Sequence, residues 1–143
     1  MEKEKYIFHH DASVRFKDID MMRHVNHAIY LNYLEDARIA YWNWLFEGND
    51  EIVKLSFIMA NVNVNYRHPV FRNEKLRVYT RISEVGHKSF KMDYMVVNME
   101  TSKLVLDGSS TQVLYDYKKG STVPIPVAMR EIIRAREIAL ESS

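Results

Sequence analysis

Two periods divide the chain. Between residues 26 and 46, Tyr30, Leu31, Leu34, Ala37, Tyr41, Trp42 and Leu45 fall at three- and four-residue steps, the spacing that gathers side chains on one face of a helix. Asn26 stands where an N-cap would, and Gly48 where such a helix would stop. About 20 residues make a helix roughly 30 Å long, enough to cross a whole domain. The period then becomes two. In SFIMANVNVNYRHP, Ile58, Ala60, Val62, Val64 and Tyr66 alternate with Met59, Asn61, Asn63 and Asn65, which predicts a strand with the two sets on opposite faces. Alternation returns over 76–82, 90–97 and 104–115. An earlier strand is predicted over 6–17, where Val14 and Phe16 alternate with Arg15 and Lys17. The breaks at 69–74, at 84–88 around Gly86 and at 98–103 are short, so successive strands are expected to be antiparallel neighbours. Residues 127–140, after Pro124 and Pro126, read as an amphipathic closing helix.

The order strand, long helix, four strands, helix predicts an α+β fold. Its five-stranded antiparallel sheet would curl around the long helix, the only large cover available for the sheet's apolar face. A chain of 143 residues suits one domain with one core, spanning 1–143. Charge and cysteine content then narrow the function. A net charge of +1 provides no global field for nucleic acid, so any anion site must be local. With no cysteine there is no disulfide scaffold, thiolate nucleophile or thiolate metal site, and a reducing compartment fits. The opening residues MEKEKYIFHHDAS are charged, unlike a signal peptide. No run approaches the roughly 18 apolar residues of a membrane span. A cytoplasmic location is expected.

Just ahead of the predicted long helix, DIDMMRHVNH (residues 18–27) crowds two carboxylates, two imidazoles and an amide. A solvated loop with a helix cap would account for it; so would a site for acid–base chemistry. The longer segment VRFKDIDMMRHVNHAIYLNYLEDAR (residues 14–38), with the element order, resembles the hotdog-fold thioesterases. The nearest likeness is to the 4-hydroxybenzoyl-CoA thioesterase superfamily and its bacterial short-chain acyl-CoA members. HKSFKMDYMVVN (87–98) followed by LDGSSTQVLYD (106–116) is a weaker echo, and the resemblance covers nearly the whole chain. It implies that Asp20 is the catalytic carboxylate and that His27 occupies a position often held by Tyr or His. A partial likeness to plant-type acyl-ACP thioesterases pairs Asp20 with His24, but the Asn those enzymes place between is Met22 here. No particular acyl group is implied.

The chemistry needs few parts. Asp20 can act as general base on water or attack the thioester carbonyl itself. Backbone N–H groups at the helix start, near residues 26–28, can hold the oxyanion. No cofactor is needed, and no metal is expected, since HVNH lacks the spacing and Glu of HExxH. Asp18, two residues from Asp20, should face the other way and make a structural hydrogen bond. His24 is either a turn residue or an orienting or catalytic group. Asn26 is a cap that could also touch substrate. Tyr30, Glu35 and Arg38 are expected to form a buried polar network, with Glu35 and Arg38 supporting the site from behind. Asn61, Asn63 and Asn65 form either a solvated sheet face or a polar wall of the acyl site or a dimer seam. For the phosphates of CoA the candidates are Arg67, Arg72, Arg81, Lys88 and Lys91, with Lys88 favoured by the HKSF echo.

Hydrolysis of an acyl-CoA is the leading expectation. A non-hydrolytic acyl-CoA or fatty-acid binder, an acyl-ACP thioesterase and a scaffold domain are the alternatives. Five strands around one helix leave sheet edges, and in proteins of the resembled family the strand matching 56–66 pairs with its own copy. A homodimer, or a homotetramer, is therefore expected. Its site would draw Asp20 and the helix start from one chain and residues 61–67 from the other.

Overall fold

In a computed structural model, which describes residues 2–141, the long helix forms where the three- and four-residue period predicts it. It is α1 (Ile29–Leu45), and it buries Tyr30, Tyr33, Leu34, Ala37, Tyr41, Trp42 and Leu45. It begins later than residue 26 because Asn26 does not cap it. The Asn26 side-chain oxygen accepts from the Ala28 N–H at 2.9 Å, and its carbonyl accepts from the Ile29 N–H at 2.9 Å. This Asx-type turn feeds the chain into the helix, and Ala28 takes the cap position. After α1, Gly48 adopts φ 83, the left-handed conformation that glycine reaches without a Cβ penalty. A four-residue helix, α2 (Asp50–Val53), follows.

The strands are β1 (His9–Ser13), β2 (Phe57–Tyr66), β3 (Lys75–Val85), β4 (Ser89–Asn98), β5 (Leu104–Asp116) and the two-residue β6 (Ser121–Thr122). Their order is β1-β3-β4-β5-β2, antiparallel throughout, with β6 against β5. β1 is shorter than residues 6–17. The chain leaves the sheet at Val14 and enters a 3-10 turn, Phe16–Asp18, that leaves Phe16 exposed. The second difference is topological: β2 pairs with β5, not with β3. The eight residues between β2 and β3 are few in number but reach about 26 Å when extended. Three strand spacings are only about 14 Å, so this link crosses the end of the sheet. It is pinned there by the Val25 N–H on the Val70 carbonyl (2.8 Å) and the Val14 N–H on the Glu74 carbonyl (3.2 Å).

Simple alternation also fails within β2. A register shift between Met59 and Asn61 inserts one extra residue. Phe57, Met59, Val62, Val64 and Tyr66 stand opposite Leu114, Gln112, Ser110, Gly108 and Leu106. These β5 positions include Leu106 and Leu114 of the core under α1. Asn61, Asn63 and Asn65, opposite Thr111, Ser109 and Asp107, lie on the outer face. The bulge thus moves Met59 to the inner face and Ile58 to the outer one. Aromatic contacts close the core around Trp42, whose ring centroid lies 5.0 Å from Phe57 and 5.8 Å from Phe90.

The closing helix is α3 (Val127–Arg136), shorter than residues 127–140. Beyond it the chain bends back over the sheet, and the Glu141 N–H bonds the Ser83 carbonyl of β3 at 2.7 Å. The Arg136 guanidinium donates to the Trp44 and Leu45 carbonyls at 2.8 and 3.1 Å, neutralising the C-terminal end of α1. Glu137 is buried, with one carboxyl oxygen bonded by the Tyr41 hydroxyl and the other unpartnered. Burial raises its pKa, against the lowering effect of the Tyr41 hydrogen bond and Arg81. A raised carboxyl pKa means that the unfolded chain ionises first. Stability contributed by neutral Glu137 is therefore full below the unfolded value of 4.5 and falls as pH rises from 4.5 to the folded pKa. The expected result is a wild-type melting temperature that declines over that window, and a flatter profile for Glu137→Gln. Thermal unfolding followed across the acid range checks it; parallel profiles overturn it.

Candidate active site

The segment after β1 folds into a tight turn. Ile19 bridges Val25, the Asp20 N–H bonds the His24 carbonyl at 3.1 Å, and the Arg23 N–H bonds the Asp20 carbonyl at 3.0 Å. Arg23 closes the turn at φ 68. Within it, Asp20 Oδ1 accepts from the Met22 N–H at 2.9 Å and lies 4.0 Å from His24 Nδ1. The carboxylate is half-buried and held in place by its own turn. His24 Nδ1 also lies 3.2 Å from the Val25 carbonyl. A carbonyl only accepts, so in this contact Nδ1 is the donor.

Asp18 faces the other way, as expected from the two-residue offset. It is buried, and its Oδ2 accepts from the Arg15 N–H at 3.0 Å and the Tyr33 hydroxyl at 2.6 Å. Burial, followed by the hydrogen bond to Asp18, pushes the Tyr33 phenol well up. This pair ties α1 to the turn.

A pocket of about 270 Å³ opens beside the start of α1, lined by His24, Val25, His27, Tyr30, Tyr66, Arg67, His68 and Pro69. Its aromatic wall is ordered. The Tyr66 hydroxyl donates to the His27 carbonyl at 2.8 Å, and the Tyr30 and Tyr66 rings are 5.5 Å apart. Burial pushes the Tyr30 phenol up to about 12, so it remains a neutral hydroxyl at physiological pH. His68 Nδ1 donates to the Leu104 carbonyl at 2.8 Å. Arg67 reaches both carboxylate oxygens of Asp107, at 3.1 and 3.3 Å. Asp20 is outside the lining itself and reaches the pocket by way of His24.

The structure therefore brings together Asp20, His24, His27, Tyr30 and Arg67. Asn26 is part of the same entry turn, but its amide oxygen is occupied by the Ala28 N–H. An oxyanion donor from this segment must be the His27 N–H or one further into the first helical turn. Other expected residues lie elsewhere. Asn61 and Asn63 are on the outer sheet face. Lys88 sits beyond the end of β4 that is level with the start of β2, 3.4 Å from Thr122. The pocket is at the other end of β2, about 25 Å along the strand. Arg81 is fully buried, bonded to Asp93 and to the Ala139 carbonyl, so it is not available to a phosphate. Lys91 is paired in register with Glu84, and Arg72 lies over the Phe16 ring. The Tyr30–Glu35–Arg38 network does not form. At 100° per residue, five residues put Glu35 about 140° around the helix from Tyr30, and it is exposed. Arg38 instead lies over the Tyr94 ring, 3.4 Å from its hydroxyl.

Tyr66 was expected only within the 61–67 run of a partner chain and lines the pocket of its own chain, and His68 was not among the expected site residues. Tyr66 had a signal, since it ends the alternating run just before Arg67. His68 had none, because nothing in its neighbourhood connects it with residues 24–27. Among the described residues, no three His, Asp or Glu side chains come together as a potential metal site.

An antiparallel sheet curled around one long helix is the hotdog arrangement. Residues 14–133 match the family model described as the thioesterase-like superfamily, and the chain belongs to that superfamily. It is similar to the long-chain acyl-CoA thioesterase FadM of Escherichia coli (strain K12), with 28% identity over 123 residues, 82% of this chain and 90% of that protein. Among solved structures it is similar to a thioesterase complexed with coenzyme A and Zn from Thermus thermophilus. Identity there is 31%, the TM-score is 0.77, and the match covers 92% of this chain and 95% of that one. A 1,4-dihydroxy-2-naphthoyl-CoA thioesterase from Synechocystis shares the fold at a TM-score of 0.78 and 16% identity, covering 90% of this chain and 96% of that one.

Proposed function

We propose that this chain hydrolyses an acyl-CoA thioester to the free acid and CoA. The observation that carries the reading is the Asp20 carboxylate, pinned by the Met22 N–H with His24 at 4.0 Å, beside an aromatic pocket at the start of α1. Family membership and the likeness to FadM support it. In the general-base form, Asp20 takes a proton from water as the oxygen attacks the thioester carbonyl. The oxyanion is held by N–H groups of the first helical turn. Its collapse breaks the C–S bond, and the proton passes to the departing thiolate. In the nucleophilic form Asp20 bonds the acyl carbon, CoA leaves, and water then cleaves the anhydride. His24, His27 and Tyr30 would position the thioester, while Arg67 would meet the CoA end.

Thiol release from a panel of alkyl and aryl acyl-CoAs of graded length tests the reading. Turnover on part of the panel is expected. If no member is hydrolysed but several bind, the chain is a non-hydrolytic acyl-CoA protein. Preference for an acyl carrier protein thioester in the same assay would favour that carrier.

The active unit proposed is a homodimer, or a tetramer built from it. β2 is at the sheet edge and is exposed on both faces over most of its length, a pairing liability in a free monomer. Pairing of β2 with its copy would join two sheets and place each pocket at the seam. Light scattering at assay concentration should give at least twice the chain mass of 17.0 kDa. A fully active species at the chain mass overturns the shared site.

A further inference from the structure

Two loops are stitched together at one end of the molecule. The Val14–Glu74 and Val25–Val70 backbone bonds hold residues 14–25 and 70–74 side by side. Four apolar side chains stand out from this surface: Phe16 at 73% exposure, Met21 at 98%, Met22 at 73% and Phe71 at 48%. Single exposed apolar residues are ordinary, but four on adjoining loops make a patch that signals a binding surface. Met21 and Met22 are also at the centre of a tight turn, where Gly, Asn, Asp and Ser are the usual choices.

The fully exposed charges on these loops are all positive. Arg15, Lys17, Arg23 and Arg72 belong to the same loops, and none has an ion-pair partner among the described residues. The three acids of the same loops are buried or half-buried, each turned to a donor of the protein itself. Asp18 holds the Tyr33 hydroxyl, Glu74 holds the Phe71 N–H and the Asn98 amide, and Asp20 holds the Met22 N–H. Arg72 lies over the Phe16 ring at 5.1 Å. Arg23 keeps its guanidinium at a backbone position, φ 68, that favours glycine.

We propose that this end of the molecule docks on an anionic lipid bilayer. Phe16, Met21, Met22 and Phe71 enter the boundary between headgroups and acyl chains, and the four cations meet lipid phosphates. A second copy fits less well. Across a two-fold axis the patch meets itself, bringing four cations against four. The docked turn is the one that holds Asp20, so an amphiphilic thioester anchored in the bilayer would reach the pocket without leaving it. That last consequence rests on the thioesterase reading; the docking does not.

The test uses the full chain and no thioester. It is sedimented with vesicles of phosphatidylglycerol in phosphatidylcholine, and with phosphatidylcholine alone. Retention on the anionic vesicles, weakened by added salt, is expected. The double variant Met21→Ser, Met22→Ser should release the protein. Arg23→Gln and Arg72→Gln should each lower partitioning by about five-fold. Light scattering and circular dichroism on the same samples read assembly and folding. No retention, or equal retention on neutral and anionic vesicles, overturns the proposal. So does a methionine variant that changes the mass in solution but leaves vesicle binding intact, which would assign the patch to a second copy. Failure of the thioesterase reading would show separately, as absent thiol release in lipid-free buffer.

Discussion

Asp20→Asn is expected to cut acyl-CoA hydrolysis on the order of 10²-fold or more, the scale of losing an activating acid–base group. In transition-state free energy this is about 2.7 kcal/mol. The substitution separates chemistry from structure. The Asn side-chain oxygen can keep the bond from the Met22 N–H that Asp20 Oδ1 accepts in the wild type. The turn is also held by backbone bonds on either side, between Asp20 and His24 and between Arg23 and Asp20. The substitution is isosteric and removes no packing, so the unfolding midpoint should barely move. What disappears is the charge, and with it both the base and the nucleophile. Thiol release and the melting curve of the purified variant are measured side by side. Undiminished turnover would sink the assignment of Asp20. A folded variant that binds acyl-CoA as tightly as wild type, beside a wild type that never turns over, would favour a binding protein.

Gly108→Ala should destabilise the protein by about 3 kcal/mol, at the upper end of the usual overpacking range. A Cβ at Gly108 would lie 2.3 Å from the Asn63 carbonyl oxygen, 2.8 Å from Val64 Cα and 2.9 Å from Val64 Cγ1. Two of these are backbone atoms of the neighbouring strand, so no rotamer change relieves the clash. β2 must move away from β5. Its far end carries Tyr66, whose hydroxyl holds the His27 carbonyl, and its free edge is the proposed seam. Loss of stability should therefore come with loss of activity and of dimer. Urea unfolding gives the first and light scattering the last. An unchanged midpoint would mean that the strands part at little cost and would refute the argument.

The polar row on β2 shows why faces are harder to read than strands. Alternation marked residues 58–66 as extended, and β2 spans Phe57–Tyr66. The bulge before Asn61 is a property of two strands in register, and no local period reports it. In the same way, the short link after Tyr66 suggested a hairpin. β3 instead has β1 and β4 as its neighbours, while β2 closes the far edge against β5. The Arg81 cluster makes the same point. As a lone Arg in an alternating strand it reads as a surface cation, but the segment after α3 covers it and bonds it through the Ala139 carbonyl.

Local order along the chain was sufficient for the elements and for the turn that holds Asp20. Periods of 3.6 and 2 follow from backbone geometry, and the carboxylates, imidazoles and helix start all fall within one stretch of sequence. The opposed directions of Asp18 and Asp20 were legible for the same reason. Only the tertiary structure decided which distant residues complete the pocket. Tyr66 and His68 come to residues 24–30 because the link from β2 to β3 crosses the sheet end and is tied to Val25 by the Val70 carbonyl. That contact depends on strand pairing across the whole sheet, an interaction between segments far apart in the chain. No local pattern of hydrophobic and polar residues encodes it.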